Sequence, residues 1–204
     1  MLGPVLALAG VAAYAAFHSA LASLRAKAAA RRVFGSASDR FYRLLFNLVG
    51  VVTLVPILAI PVLVPGRQLY VVPWPWNGLM AAGQLAAATV ISVGLFQTDI
   101  WHFFGVRQLA EPTERQPPRL VTTGLYRYVR HPLYTAGLVF LWLTPLMTTT
   151  LMALYVGFSA YLYVGSVFEE RRLRAEFGQA YTEYQARVPR LIPGLRARPA
   201  PAPK

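Results

Sequence analysis

Two short polar motifs border apolar segments and carry the side chains best suited to binding a ligand. They comprise Arg130-His131-Pro132 with Tyr134 and Gly137 downstream, and the pair Glu169-Glu170. Because proline favours the first helical turn, the histidine before it is expected at a helix cap, where nearby backbone amides remain free. Carboxylates at a lipid boundary favour a cationic or hydroxyl-rich ligand. The two motifs therefore predict the two halves of a binding site at a membrane surface.

Aromatic side chains beside the first motif strengthen this interpretation. Tyr126 and Tyr128 offer ring faces on which an aromatic base could stack. A structural interpretation remains open, in which the glutamates and nearby arginines form ion pairs on a solvated helix face. No metal site is predicted, because His18, His102 and His131 come from distant segments without ligand spacing.

The composition indicates an integral membrane protein. Hydrophobic residues make up 56% and charged residues 14% of the 204-residue chain, whereas soluble domains carry about 25% charged residues. The net charge of +12 does not predict nucleic-acid binding, because the basic residues lie between apolar blocks. The absence of cysteine excludes a disulfide framework and a cysteine nucleophile.

Five apolar blocks predict the architecture, an all-α polytopic bundle of five transmembrane helices followed by a charged C-terminal helix. The blocks cover about 2–24, 44–64, 78–96, 132–146 and 151–168, and the charged helix is expected to continue the last span to about Arg187. Because no basic residue precedes the first block, we expect a first span there and not a cleaved signal peptide. The expected domains are a three-span region, 1–96, a core region, 97–195, and a disordered tail, 196–204.

The distribution of basic residues predicts the orientation. Segments 25–43, 97–131 and 169–204 carry 6, 5 and 8 basic residues, whereas 65–77 carries one and 146–150 none. Since basic residues are enriched in cytoplasmic loops, five spans place the N-terminus outside and the C-terminus in the cytoplasm. Both motifs then lie on the cytoplasmic side.

The order of motifs in the C-terminal half resembles the isoprenylcysteine carboxyl methyltransferase superfamily. The resemblance covers about residues 97–195 and rests on both motifs above, on Phe177-Gly178-Gln-Ala-Tyr181-Thr-Glu-Tyr184 and on Val188-Pro189-Arg-Leu-Ile192-Pro193. Within the superfamily, the stretches beginning at Tyr42, Phe104 and Trp142 are most similar to bacterial methanethiol S-methyltransferases and the NnrU-like group.

The resemblance implies an integral membrane enzyme, in a bacterial inner membrane, that uses S-adenosyl-L-methionine. It implies a cofactor pocket containing Tyr126, His131, Tyr134, Gly137, Glu169 and Glu170, roofed by the C-terminal helix and residues 188–193. Catalytic roles are expected for Arg130, Glu170 and Arg174. Binding of the acceptor is expected to involve Asp99, His102 and Arg107.

The expected acceptor is a small thiol or a lipophilic, prenylcysteine-like molecule that enters from the lipid bilayer. Phospholipid methylation is an alternative within the same enzyme class. A non-enzymatic transport or accessory protein is a further alternative, which would require polar residues deep within the spans. Few such residues are present, namely His18, Asn47, Gln84 and Thr89. The sequence does not set an oligomeric state.

Overall fold

A computed structural model describes residues 1–97, 101, 104–106 and 119–195 of the chain. The α-helices that it bounds are α1 (Leu2–Ala22), α2 (Leu24–Phe34), α3 (Ser38–Leu63), α4 (Trp76–Gln97), α5 (Pro132–Trp142), α6 (Thr149–Phe177) and α7 (Gln179–Arg187). Two short 3-10 helices cover Gly35–Ala37 and Gly124–Arg127, and two short strands are β1 (Gln68–Val71) and β2 (Leu146–Thr148). The predicted helical class is confirmed, whereas the two strands were not predicted.

Four helices of the described part are long and apolar enough to cross a membrane. They cover Leu2–Ala22, Arg40–Leu63, Trp76–Gln97 and Thr149–Phe177, and a spanning helix needs about 20 residues. The chain is therefore an integral membrane protein. Helix α5 is apolar but has 11 residues, which corresponds to about 16 Å of helix against about 30 Å of hydrocarbon. The fifth span stays a prediction.

Helix α6 joins the last apolar block to the second motif without a break. Its 29 residues include Glu169 and Glu170 near its C-terminal end, as the predicted continuation of the span requires. The helix stops at Phe177, because Gly178 adopts a positive φ of 54° that L-residues rarely take. The predicted continuous helix to Arg187 is therefore wrong, and α7 begins after the glycine.

One compact unit contains the described residues of 1–73, 98–116 and 145–161. Its core consists of Ala7, Val11, Ile57 and Leu154, all buried. Strands β1 and β2 pair antiparallel, and the Thr150 hydroxyl donates to the Val64 carbonyl at 2.8 Å. These contacts fix the end of α3 against the start of α6 within this unit.

The basic segment between α1 and α3, predicted only as a connection, forms the helix α2. Its N-cap is Ser23, whose hydroxyl accepts a hydrogen bond from the Ala26 amide at 3.2 Å. Helix α3 contains Pro56 and Pro61 in its interior. Prolines are tolerated in spanning helices where the freed backbone carbonyls find other partners.

The second compact unit contains the described residues of 74–97, 117–144 and 162–195. Helices α4 and α5 pack closely because α4 presents small residues. Gly83 faces Leu143 and Gly94 faces Leu133, and a Cβ at either glycine would come within 2.6 Å of a leucine methyl group, which would have to shift. The Gln84 side chain donates to the Phe140 carbonyl at 3.1 Å. This unit holds both motifs. The predicted domain boundary after residue 96 stays a prediction, because much of the following segment lies outside the described residues.

Candidate cofactor-binding site

Glu170 lies at the centre of a buried polar cluster in the second unit. Its side chain is 1% exposed. One carboxylate oxygen accepts from Arg130 Nε at 2.7 Å and lies 3.3 Å from His131 Nε2. The other accepts from Gln185 Nε2 at 2.9 Å and from Arg190 Nη2 at 2.8 Å. Because each oxygen already has two protein partners, Glu170 joins the start of α5, helix α6, helix α7 and the segment that follows it.

Arg130 connects the same elements through their backbones. Its Nη1 donates to the carbonyl oxygen of Gln185 at 3.1 Å and to that of Val188. The Arg130 amide donates to the Pro189 carbonyl at 2.9 Å, and the His131 amide donates to the Arg190 carbonyl at 3.1 Å. The segment predicted to roof the site is therefore held directly against the first motif.

Glu169 has a different environment from its neighbour. Its side chain is 35% exposed. Oε2 accepts from the Tyr134 hydroxyl at 2.9 Å and lies 3.5 Å from His131 Nδ1. No donor to Oε1 occurs among the residues that the structure describes. Glu169 therefore keeps one carboxylate oxygen available to a ligand.

His131 lies between the two glutamates. As the N-cap of α5 it precedes Pro132 in the first helical turn, as predicted. Its ring stacks on Tyr134, with ring centroids 5.2 Å apart and an interplanar angle of 8°. Burial lowers the pKa of His131, but the hydrogen bonds and negative charges of Glu169 and Glu170 outweigh burial, so the net shift is upward. The two carboxylates therefore favour the protonated ring, in which each ring nitrogen can donate to one of them.

The raised pKa of His131 predicts that stability falls as the pH rises above the unfolded pKa of this histidine. The stabilisation that the folded protein gains from protonated His131 is complete below the unfolded pKa of about 6.5. It disappears as the pH rises through the higher folded pKa. The melting temperature of the wild type should therefore fall across this window. His131→Gln should remove most of that fall, as measured by thermal unfolding in detergent.

A histidine outside the cluster provides the control for this experiment. His18→Gln should keep the wild-type pH dependence, because His18 lies in the first unit among aromatic rings. Equal pH slopes for the wild type and His131→Gln would contradict the assigned coupling.

Three tyrosines pack beside the cluster. The Tyr184 hydroxyl donates to the Tyr126 carbonyl at 2.6 Å. Burial, followed by the negative charge of Glu169, raises the pKa of Tyr126 to about 12. Burial, followed by the charge of Glu170, raises the pKa of Tyr181, whose buried hydroxyl has no hydrogen-bond partner in the described structure. Tyr181 is therefore a neutral donor that a ligand could satisfy.

The structure brings together most of the residues that the sequence predicted for the pocket. Arg130, His131, Tyr134, Glu169 and Glu170 are in contact, and Tyr126 lies beside them, with its carbonyl accepting from Tyr184. Gly137 lies farther along α5, and a Cβ built there would meet no atom within 4 Å. Arg174 is exposed, and the structure shows no contact between its side chain and the cluster. Asp99, His102 and Arg107 lie outside the described residues.

Four residues of this region were not predicted as site residues, namely Tyr181, Tyr184, Gln185 and Arg190. All except Gln185 lie within the two C-terminal stretches that carry the resemblance. Arg190 follows Pro189 in the second of these, and this position was the available signal for a role in the site. The missing information was the path of the chain after α7.

Comparison with known proteins places the chain in a family of membrane methyltransferases. The profile of the phospholipid methyltransferase family matches residues 77–180, just over half of the chain. This range contains the first motif and the glutamate pair. The chain therefore belongs to the phospholipid methyltransferase family.

Curated relatives share a narrower name. A methanethiol S-methyltransferase 2 of Bradyrhizobium diazoefficiens is 42% identical over 103 residues, which cover 49% of this chain and 40% of the relative. The methanethiol S-methyltransferase of Crocosphaera subtropica is 32% identical over 128 residues, 58% of this chain and 50% of that protein. One from a Pseudomonas species is 28% identical over 184 residues, 88% and 69% of the two chains.

These matches confirm the predicted resemblance. The chain spans about half or less of the length of the first two of these relatives. No solved structure matches the chain.

Proposed function

We propose that the protein is a membrane-embedded methyltransferase that binds S-adenosyl-L-methionine at the His131–Glu169 cluster and methylates a small thiol. The observation that carries the proposal is the pair of adjacent glutamates. Glu170 is saturated by four protein groups, whereas Glu169 keeps one oxygen free beside the stacked rings of His131 and Tyr134. The family match and the names of the relatives support the reaction class.

The unsatisfied groups of the cluster fit the polar groups of the cofactor. S-adenosyl-L-methionine presents an ammonium group and ribose hydroxyls, which suit the free oxygen of Glu169, and it also presents hydrogen-bond acceptors, which suit the buried Tyr181 hydroxyl. The open space beside Gly137 permits close approach of a ligand to α5. The residues present therefore fit the group.

The chain would contribute mainly binding and orientation. When bound, the cofactor supplies a methyl group already activated by its positively charged sulfur. Glu169 and Tyr134 would orient the cofactor's polar groups, and Arg130 and Glu170 would hold the surrounding segments in place. In-line positioning and exclusion of water would then carry most of the acceleration. A thiol acceptor would also have to lose its proton to a base or to solvent for the methyl group to be transferred to its sulfur. Arg174, Asp99, His102 and Arg107 remain proposed contributors on the acceptor side.

The proposed arrangement in the membrane follows from the charge distribution. Nineteen of the twenty basic residues lie in segments 25–43, 97–131 and 169–204. Five spans, with the short helix α5 as the fourth, place all three segments on one side. We assign this side to the cytoplasm of a bacterial inner membrane, with the N-terminus outside and α7 inside. The cofactor is available on that side, and an apolar acceptor can enter from the lipid.

Titration with S-adenosylhomocysteine tests the cofactor site. The full chain in detergent should bind this product, and Glu169→Gln and His131→Ala should each weaken binding by about tenfold or more, the effect of losing a charged hydrogen bond. The matched control is Glu176→Gln, which removes an exposed carboxylate from the same helix. Absence of binding by the wild type would overturn the proposal.

Replacing Gly137 with alanine should change the stability of the protein and its affinity for S-adenosylhomocysteine in opposite directions. A Cβ at this position meets no protein atom, and alanine is favoured over glycine in a helix by about 1 kcal/mol. Gly137→Ala should therefore raise the melting temperature of the ligand-free protein. It should also lower affinity for S-adenosylhomocysteine, because the added methyl group occupies space next to the cofactor. Unchanged affinity would remove Gly137 from the pocket.

Phospholipid methylation is the second candidate function, favoured by the description of the matching family. A panel assay with methanethiol, prenylcysteine and phosphatidylethanolamine separates the acceptors. Among these three acceptors, we expect kcat/KM to be highest for methanethiol. A higher value for phosphatidylethanolamine would favour the second candidate while leaving the cofactor site intact.

A further inference from the structure

Arg190 keeps most of its guanidinium available, although it binds Glu170. Its Nη2 donates to Glu170 Oε2 at 2.8 Å, and no second acceptor for this side chain occurs among the described residues. A guanidinium has five N–H donors, and the Arg190 side chain is 28% exposed. Arg130, the other arginine on Glu170, is 8% exposed and reaches three acceptors. Like Glu169, Arg190 therefore offers polar atoms that the protein does not use.

The guanidinium of Arg190 lies on the apolar side of the polar cluster. Its central carbon is 5.7 Å from the ring centroid of Tyr163, and this tyrosine is 55% exposed. Tyr163 precedes Glu170 on α6 by seven residues, which correspond to about two turns, or about 10 Å, of helix. Because the apolar part of α6 precedes its glutamates, Arg190 extends from the cluster towards the lipid.

The backbone around Arg190 is fixed by the protein itself. The Arg190 carbonyl accepts from the His131 amide at 3.1 Å, and the Leu191 carbonyl accepts from the Thr135 hydroxyl at 2.6 Å. With its backbone held by α5 and its guanidinium held by α6, the arginine is oriented before a ligand binds. Donors that are already oriented stabilise a negative charge without a cost of reorganisation.

The charges of the cluster favour an anion beside this guanidinium. Three groups are positive and two are negative when the histidine is protonated, namely Arg130, His131 and Arg190 against Glu169 and Glu170. The cluster then has an excess of one positive charge. An anion at the exposed edge of the cluster balances this excess, and the available N–H groups of Arg190 lie at that edge.

The ionisable groups around Arg190 keep it charged. Burial lowers the pKa of Arg190, but the hydrogen bond and the charge of Glu170 outweigh burial. Tyr163 and Tyr181 act in the same direction as Glu170, so the net shift is upward. Arg190 is therefore a permanent cation at the boundary between the cluster and the lipid.

We propose that Arg190 binds the sulfur of the acceptor thiol and stabilises it as a thiolate. The inference rests on the proposed function, because it assigns the acceptor side of the same site. A neighbouring arginine lowers the pKa of a thiol, and the thiolate is the nucleophilic form. The carboxylate of the cofactor is another anion that could bind a guanidinium. The position of Arg190 on the apolar side favours the acceptor, which enters from the lipid.

The bonds that change in this step can be stated in full. The S–H bond of the acceptor breaks, and its proton passes to solvent. The electron pair of the thiolate forms the new bond between sulfur and the methyl carbon. The methyl group leaves the positively charged sulfur, which keeps the electron pair of the broken bond and becomes neutral. Arg190 takes no proton in this sequence and acts only by its charge and its N–H donors.

Ionisation of the bound thiol can be measured without turnover. The full chain in detergent is saturated with S-adenosylhomocysteine and given methanethiol with a carbon-labelled methyl group, whose NMR shift differs between thiol and thiolate. In the wild type the midpoint of ionisation should lie below that of free methanethiol. Arg190→Gln should raise the midpoint by about one pH unit or more, because one unit is a tenfold change and a charged hydrogen bond contributes at least as much. The signal comes from the acceptor, so the titration of His131 is observed separately.

Arg127 supplies the matched control. Its guanidinium also lies over a tyrosine ring, 4.9 Å from the centroid of Tyr128, and the residue is exposed. No carboxylate partner of Arg127 occurs in the part of the chain that the structure describes. Arg127→Gln should therefore keep the wild-type midpoint. Equal shifts in the two variants would reduce the effect to net charge and overturn the proposal, as would an unchanged midpoint in Arg190→Gln.

A second variant leaves the bond between Arg190 and Glu170 in place. Tyr163→Leu removes the exposed ring beside the guanidinium and should change the melting temperature little. The loss of a cation–π contact corresponds to a change of about two- to fivefold, so the KM for methanethiol should rise by this factor. An unchanged KM would contradict the position assigned to the guanidinium and overturn the proposal.

Titration with S-adenosylhomocysteine separates this inference from the proposed function. Arg190→Gln should bind S-adenosylhomocysteine with nearly the wild-type affinity. A loss of about tenfold, together with an unchanged midpoint of the thiol, would assign Arg190 to the carboxylate of the cofactor and overturn the inference. Absence of binding by the wild type would overturn the proposed function itself. Binding by the wild type with the midpoint of free methanethiol would overturn the inference alone.

Discussion

Replacing Glu170 with alanine is expected to destabilise the protein more than any other substitution in the cluster. The change leaves the buried side chains of Arg130 and His131, together with Arg190, without their shared carboxylate. Removing one partner of a buried ion pair costs about 3–5 kcal/mol, because the remaining charge stays desolvated. Thermal unfolding of the detergent-solubilised chain should show a large drop in melting temperature, or the variant should fail to accumulate in the membrane.

Two further variants make this expectation specific. Glu170→Gln keeps the shape and one acceptor oxygen, so it should lie between the wild type and Glu170→Ala. Glu176→Ala removes an exposed carboxylate from the same helix, and surface substitutions usually change stability by less than about 0.5 kcal/mol. Similar losses in Glu170→Ala and Glu176→Ala would contradict the central position assigned to Glu170.

The two neighbouring glutamates have different environments, and their local sequence does not indicate this difference. Consecutive residues on a helix point about 100° apart, so Glu169 and Glu170 necessarily face different surroundings. The sequence predicted that the pair and the His131 motif form two halves of one site, and the structure brings both carboxylates to the histidine ring. Which of them is buried depends on how α7 and Arg190 pack on α6, and that packing has no local signal.

The elements that the sequence missed are those formed by distant or weakly patterned residues. Strands β1 and β2 pair Gln68 with Thr148 across a large sequence separation and contain only four and three residues. Strands of this length carry no usable alternation of polar and apolar residues. Helix α2 was predicted only as a basic connection. Its basic residues were used to predict the orientation of the spans in the membrane, and the helix-forming preference of its alanines was given less weight. Four of the five predicted spans, in contrast, followed from length and hydropathy alone.

The cluster also explains why the C-terminal segment is tied to the first motif. Its backbone carbonyls at Val188, Pro189 and Arg190 all accept hydrogen bonds from Arg130 or His131. The segment therefore depends on the first motif for its position, and the first motif depends on Glu170 for its charge balance. A substitution at Arg130 should disturb both relationships at once.

Arg130→Ala is accordingly expected to have the second-largest effect, a loss of about 3 kcal/mol in the free energy of unfolding. Glu170 would lose its shortest ion pair, and the carbonyl oxygens of Gln185 and Val188 would lose a charged donor. Hydrogen exchange should increase across residues 185–190 beyond the change elsewhere in the second unit. Arg130→Lys should recover little of the loss, because an ammonium group cannot reproduce the planar fork that reaches three acceptors.

Arg127 supplies the matched control for this last experiment. It is exposed, three residues before Arg130, and its guanidinium lies 4.9 Å from the centroid of the Tyr128 ring. Loss of such an exposed contact costs about 0.5–1 kcal/mol, so Arg127→Ala should leave exchange at residues 185–190 unchanged. Equal exchange in the Arg127 and Arg130 variants would show that the C-terminal segment is held by its apolar contacts at Tyr181 and Tyr184. The difference in hydrogen exchange between the two variants therefore measures how much the buried guanidinium of Arg130 contributes to positioning the segment proposed to cover the cofactor.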